Sequence, residues 1–146
     1  VSLKAISVVG PHKSGKTTLV TALVKALGKH GSVGTIKHMP GHPMDQGDTR
    51  RHFEAGADVV IGLGQGMIRV SRVWTLESAL EDLKKSGIDF AIVEGFKNSP
   101  LPKIVLGGIA ASNAIKELHI SQLDEDMVDK LAEMVLLMED YEGAKS

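Results

Sequence analysis

The chain has 146 residues, a formal net charge of -1, and 42% hydrophobic and 24% charged residues. This fits one soluble globular domain, read as residues 1–146, with enough chain for a sizeable core and no global basicity to attract a polyanion such as DNA. Cysteine is absent, which excludes disulfides, thiolate catalysis and cysteine zinc sites; three Phe, one Trp and one Tyr are too few for a nucleic-acid stacking platform.

No apolar run approaches the roughly 18 residues of a membrane span, and the N-terminus lacks a signal-peptide pattern. A cytoplasmic protein without membrane or nucleic-acid partners is the expectation.

Ala5 to Val9 is short, apolar and β-branched, as in a buried parallel strand feeding a turn at Gly10. Leu19, Val20, Leu23, Val24 and Leu27 then recur at helical spacing over Lys16–Leu27, with Gly28 and Gly31 as stop signals. Ser32 to His38 reads as a second strand, followed by the Pro/Gly-rich loop MPGHPMDQGD. Thr49 to Ala55 is a candidate short helix with Asp48 as N-cap and Gly56 past its end.

The stretch DVVIGLGQGMIRVSRV predicts an antiparallel hairpin around a Gly-rich turn. Thr75 caps a helix whose inner face is Leu76, Ala79, Leu80 and Leu83 and which ends at Gly87. DFAIVEG is a buried strand, Pro102 to Leu106 another, and Asp124 to Met138 a helix with Met127, Leu131, Met134, Val135 and Met138 inward as core. The terminal YEGAKS is expected to fray. Strands alternating with helices predict an α/β fold of the P-loop NTPase type. It has a mostly parallel sheet, helices on both faces and a small antiparallel insertion.

Gly10 to Thr17, GPHKSGKT, satisfies G-x-x-x-x-G-K-[ST] at every fixed position, in the strand–turn–helix setting the motif needs. Glycines let backbone N–H groups wrap phosphate oxygens, and the helix that follows presents its positive end. Gly10, His12, Lys13, Ser14, Gly15, Lys16, Thr17 and Thr18 are therefore candidate nucleotide contacts. Lys16 would lie between the terminal phosphates, and Thr17 would ligate Mg²⁺. Lys13 is a second cation in the loop, with a solvated surface role as its alternative.

Glu94, at the carboxyl end of an apolar strand, is the candidate carboxylate for Mg²⁺; with Lys16 it forms the candidate catalytic pair. Lys37 and His38 end the second strand on the same edge. Asp45 and Asp48 follow, Asp48 being either a metal ligand or only a helix cap. His38, His42 and His52 match no strong zinc spacing. Arg50, Arg51, Arg69 and Arg72, with Lys97 and Lys103, offer either a local anion-binding surface or solvated charge.

In order, GPHKSGKTTL, TIKH, DTRRHFEAGAD, VEGFK and PKI resemble the molybdopterin-guanine dinucleotide biosynthesis protein B family, from about Ala5 to Leu106. The resemblance implies a dimer that binds GTP with Mg²⁺, hydrolyses it slowly and assists the guanylyltransferase that attaches GMP to molybdopterin. It leaves open molybdopterin and molybdoenzyme apoproteins as further partners, and molybdenum or tungsten as the cofactor's metal. It places Gly10, Gly15, Lys16, Thr17 and Thr18 in the phosphate loop and Lys37 and His38 at the family's KH. Asp48 falls at an acidic position, Glu94 and Gly95 at its strand-end EG, and Lys103 at the lysine of PKI. The chain departs from the family pattern at Lys13, where glycine is usual, in the shorter stretch holding His42 and Asp45, and in the uncharged VLGGIAAS.

Guanine preference rests on the resemblance, because no N-K-x-D-type strand end is present; Asn98-Ser99-Pro100 lacks the aspartate. No arginine is placed as a finger in cis and no glutamine to orient water, so turnover at most slow is expected. The alternatives are a small ATP-dependent metabolite kinase, with a lid near Arg69 and Arg72, or a carboxylate-activating synthase using Lys37.

Overall fold

The computed structural model describes residues 2–40, 47–72 and 74–143. The elements are β1 (Lys4–Val9), α1 (Lys16–Leu27), β2 (Val33–Lys37), α2 (Asp48–Glu54), β3 (Val59–Leu63), β4 (Met67–Ser71), α3 (Leu76–Lys85), β5 (Phe90–Glu94), β6 (Lys103–Leu106), β7 (Ala114–Leu118) and α4 (Glu125–Leu136), with a 3-10 turn at Ile120–Gln122. Five strands form one parallel sheet in the order β2-β5-β1-β6-β7, and β3 and β4 form a separate antiparallel ribbon.

Alternation along the strands creates two cores. Ile6, Val8, Phe90, Ile92, Ile104 and Leu106 pack against α1 and α4 on one face. Leu3, Ala5, Ala91 and Val93 pack against Leu76 and Leu80 of α3 on the other. A sheet buried on both sides explains why β1, β5 and β6 read as continuous apolar runs. Thr75 caps α3 by accepting from the Ser78 N–H, and Asp124 caps α4 by accepting from the Met127 N–H at 2.8 Å.

Three expectations change. Gly47, not Asp48, occupies the N-cap position of α2, and Asp48 is its first residue. β7 and the 3-10 turn have no counterpart in the sequence reading, because AIKEL is an exposed edge strand with charged residues in its middle. Tyr141 does not fray: its N–H donates to the Leu3 carbonyl at 2.6 Å, and its ring joins the α3-side core. Among the described residues no helix is long and apolar enough to cross a membrane.

Candidate functional site

The loop between β1 and α1 curls at the carboxyl edge of the sheet. Gly15 stands at the N-cap of α1 with φ 99°, and α1 has neither a side-chain cap nor an acidic residue in its first turn. The N–H groups of that turn are therefore not taken up by a side-chain cap, the arrangement that receives a phosphate. A Cβ on Gly15 would lie 2.5 Å from Ile120, so the 3-10 turn before α4 packs against the loop too closely for a side chain there. The Ser14 hydroxyl is buried within the loop with no hydrogen-bond partner among the described residues.

Parallel register brings the remaining groups together. Val8 is level with Glu94 in β1–β5, and Lys37 is level with Glu94 in β2–β5. The Thr17 hydroxyl donates to Glu94 Oε1 at 2.7 Å, and Lys37 Nζ stands 3.9 Å from Glu94 Oε2. Lys16 Nζ donates to the Gly10 carbonyl at 2.9 Å, folded back over its own loop. Lys16, Thr17, Lys37 and Glu94, with His12, Lys13, Thr18 and His38, line a cavity of about 760 Å³. Lys13, Lys16 and Lys37 face it against the single carboxylate of Glu94 among the described residues, giving a strong bias toward an anion.

After Glu94 the chain turns sharply through Gly95 (φ 101°) and Phe96 (φ 58°). The turn stacks the Phe96 ring on His38, with centroids 4.2 Å apart and planes at 20°. A Cβ on Gly95 would lie 2.8 Å from the His38 Cβ, so only glycine permits this approach. The buried Ser7 hydroxyl holds the turn by donating to the Gly95 carbonyl at 2.6 Å. A second cavity of about 560 Å³, which includes Phe96 and Lys97, meets the first at His38 and Gly95.

Other predicted residues lie elsewhere. Lys103 is fully buried and does not line the phosphate-loop cavity. Its ammonium donates to the carbonyls of Ser99, Leu101 (2.9 Å) and Ser112 (2.8 Å), joining the two loops that flank β6. Burial pulls its pKa below the ordinary lysine value. Asp48 is exposed and paired with Arg51 at 3.6 Å, outside the cavity. His52 sits on α2, apart from His38 at the end of β2; His42 and Asp45 lie outside the described residues.

The four arginines are each engaged locally. Arg50 pairs with Glu54 at 2.8 Å and Arg51 with Asp48, Arg69 lies over Trp74, and Arg72 lies over the Phe53 ring and donates to the Phe53 carbonyl. None of them lines the phosphate-loop cavity. The turn formed by Gly95 and Phe96 is the site feature the sequence reading missed; the signal was a glycine directly after a strand-end acid.

A glycine-framed loop joining the first strand of a parallel sheet to an uncapped helix, with lysine, threonine and a neighbouring strand-end carboxylate, defines a P-loop NTPase-like protein. A family model described as "Molybdopterin guanine dinucleotide synthesis protein B" matches residues 5–129. The chain belongs to this family.

A Bacillus subtilis relative described as a "Probable molybdopterin-guanine dinucleotide biosynthesis adapter protein" is 35% identical over 109 residues, 69% of this chain and 63% of its own length. A Haemophilus influenzae "Molybdopterin-guanine dinucleotide biosynthesis adapter protein" is 33% identical over 110 residues, 69% of this chain and 61% of its own. The match thus spans about three-fifths of these relatives. Solved structures described as MobB from Bacillus subtilis and as a MobB homologue from Bacillus stearothermophilus share the fold, with TM-scores of 0.69 and 0.67. Each is 24% identical; they are covered to 96% and 99% and cover 89% and 92% of this chain.

Proposed function

We propose that this chain binds GTP with Mg²⁺ at the phosphate loop and serves as an adapter in molybdopterin-guanine dinucleotide biosynthesis, hydrolysing the nucleotide slowly at most. The observation that carries the reading is the contact of the Thr17 hydroxyl with Glu94 at 2.7 Å beside the uncapped start of α1. Mg²⁺ takes one or two carboxylates together with substrate phosphates, and this donor set fits that requirement. Thr17 and Glu94 would hold the ion, the loop N–H groups would hold the inner phosphates, and Lys16 would lie between the terminal ones. The ion would supply charge neutralisation between the terminal phosphates.

The adapter role draws on the family and on the two adapter relatives. Slow turnover follows from the arginines: all four are engaged away from the cavity. A dimer is part of the same reading. Val59, Ile61, Leu63 and Met67 share one face of the β3–β4 ribbon and are exposed, a surface that a second copy would cover. The guanylyltransferase that attaches GMP to molybdopterin is the proposed heterologous partner.

Calorimetric titration with GTP and with ATP, each with Mg²⁺, tests the ligand. Preference for GTP with slow phosphate release is expected. Preference for ATP, or rapid transfer to a small acceptor, would replace the adapter with a phosphotransferase.

A further inference from the structure

Among the described residues, three outside glycine hold a positive φ: Lys13 at 60°, Phe96 at 58° and Asn113 at 55°. Left-handed backbone is unfavourable for residues with a Cβ, and such strain persists where the surroundings or a function require it. Asn113 has a local reason, since asparagine tolerates this region and its amide donates to the Pro100 carbonyl at 3.0 Å. Phe96 has another, the stack on His38. Lys13 has no such partner: its side chain is exposed and makes no hydrogen bond or ion pair among the described residues.

Yet Lys13 lines the phosphate-loop cavity. Of the three lysines there, Lys16 is bonded to the Gly10 carbonyl and Lys37 is paired with Glu94. Lys13 is the uncommitted ammonium, held at the crest of the loop in a conformation that glycine would adopt without strain. Without an anion it adds only repulsion among neighbouring cations.

We infer that Lys13 is a specificity-determining residue that binds the terminal phosphate of a nucleoside triphosphate and sets the preference for triphosphate over diphosphate. The inference rests on the proposed phosphate-loop function. Loop N–H groups and the start of α1 already serve the inner phosphates, and Lys16 spans the second and third. The third phosphate brings the extra charge that a further cation in the same cavity would meet. Lys13 does this from within the loop, where no arginine reaches.

Titration of the wild type, Lys13→Gly and Lys13→Arg with Mg·GTP and with Mg·GDP, alongside thermal unfolding, tests this. Lys13→Gly should unfold at or above the wild-type midpoint. It should bind GTP about tenfold more weakly, the scale of one lost charge-assisted hydrogen bond, while GDP affinity changes less than about twofold. Lys13→Arg should stay within about threefold of wild type for GTP, because the charge is kept. An unchanged GTP-to-GDP preference in Lys13→Gly, or an equal loss for both nucleotides, would overturn the assignment and leave the phosphate loop standing. If the wild type bound neither nucleotide, the phosphate-loop reading would fall first and the role of Lys13 with it.

Discussion

Glu94 meets two demands with one side chain. It accepts from Thr17 and pairs with Lys37, and its own side chain is only 11% exposed. Both of its oxygens are engaged by these partners, and Mg²⁺ would take over part of that role when a nucleotide enters. Lys103 is the converse case, a buried cation with carbonyl partners and no carboxylate paired with it among the described residues. Lys103→Met should cost about 2–3 kcal/mol of stability in chemical denaturation, because buried carbonyls lose their donor. Its depressed pKa has a sign that can be tested. The unfolded chain holds this proton more tightly than the folded one, so the charged form of Lys103 supports the fold less than the neutral form would. Stability should rise with pH between the lowered folded pKa and the unfolded value near 10.4. Lys103→Met should lack that alkaline rise relative to wild type; identical slopes in the two proteins would contradict the burial argument.

The turn after β5 is the element that shapes the wall of the site. Gly95→Ala would place a methyl group against His38 and hold alanine at a left-handed φ. A loss of about 1–3 kcal/mol is expected, with His38 displaced from the ring of Phe96 in its NMR shift. Wild-type stability together with an unmoved imidazole would show that the turn tolerates a side chain. Much of this architecture was legible beforehand, because β1, β5 and β6 are buried on both faces and α1, α3 and α4 carry clear periodicity and end signals. β7 was not legible: as an exposed edge strand it has no apolar alternation, and only pairing with β6 defines it. The convergence of Lys37 on Glu94 was half legible, since sequence puts each at a strand end but only register makes them neighbours. Burial of Lys103 could not be read from PKI, because its partners are carbonyls of two loops on either side of β6.

At the scale of the molecule, an open parallel sheet with a buried centre is accompanied by a ribbon that is largely exposed. Two-stranded ribbons are marginal alone, and this one is tied to α2 through Arg72 and Phe53. Leu63 is 81% exposed and Ile61 54%, on the face proposed to meet a second copy. Ile61→Asp with Leu63→Asp should shift the protein from dimer to monomer in sedimentation, with the parallel-sheet core and phosphate loop still folded. A wild-type chain that sediments as a monomer, or a variant that stays dimeric, would remove the ribbon as the interface.

The central claim, a phosphate loop that holds a Mg²⁺-bound triphosphate, is tested most directly by calorimetry of wild type and Lys16→Ala with Mg·GTP. Measurable binding to the wild type is expected, with a tenfold to hundredfold loss, about 1.5–3 kcal/mol, in a variant with unchanged circular dichroism. Equal affinity in the two folded proteins would contradict it.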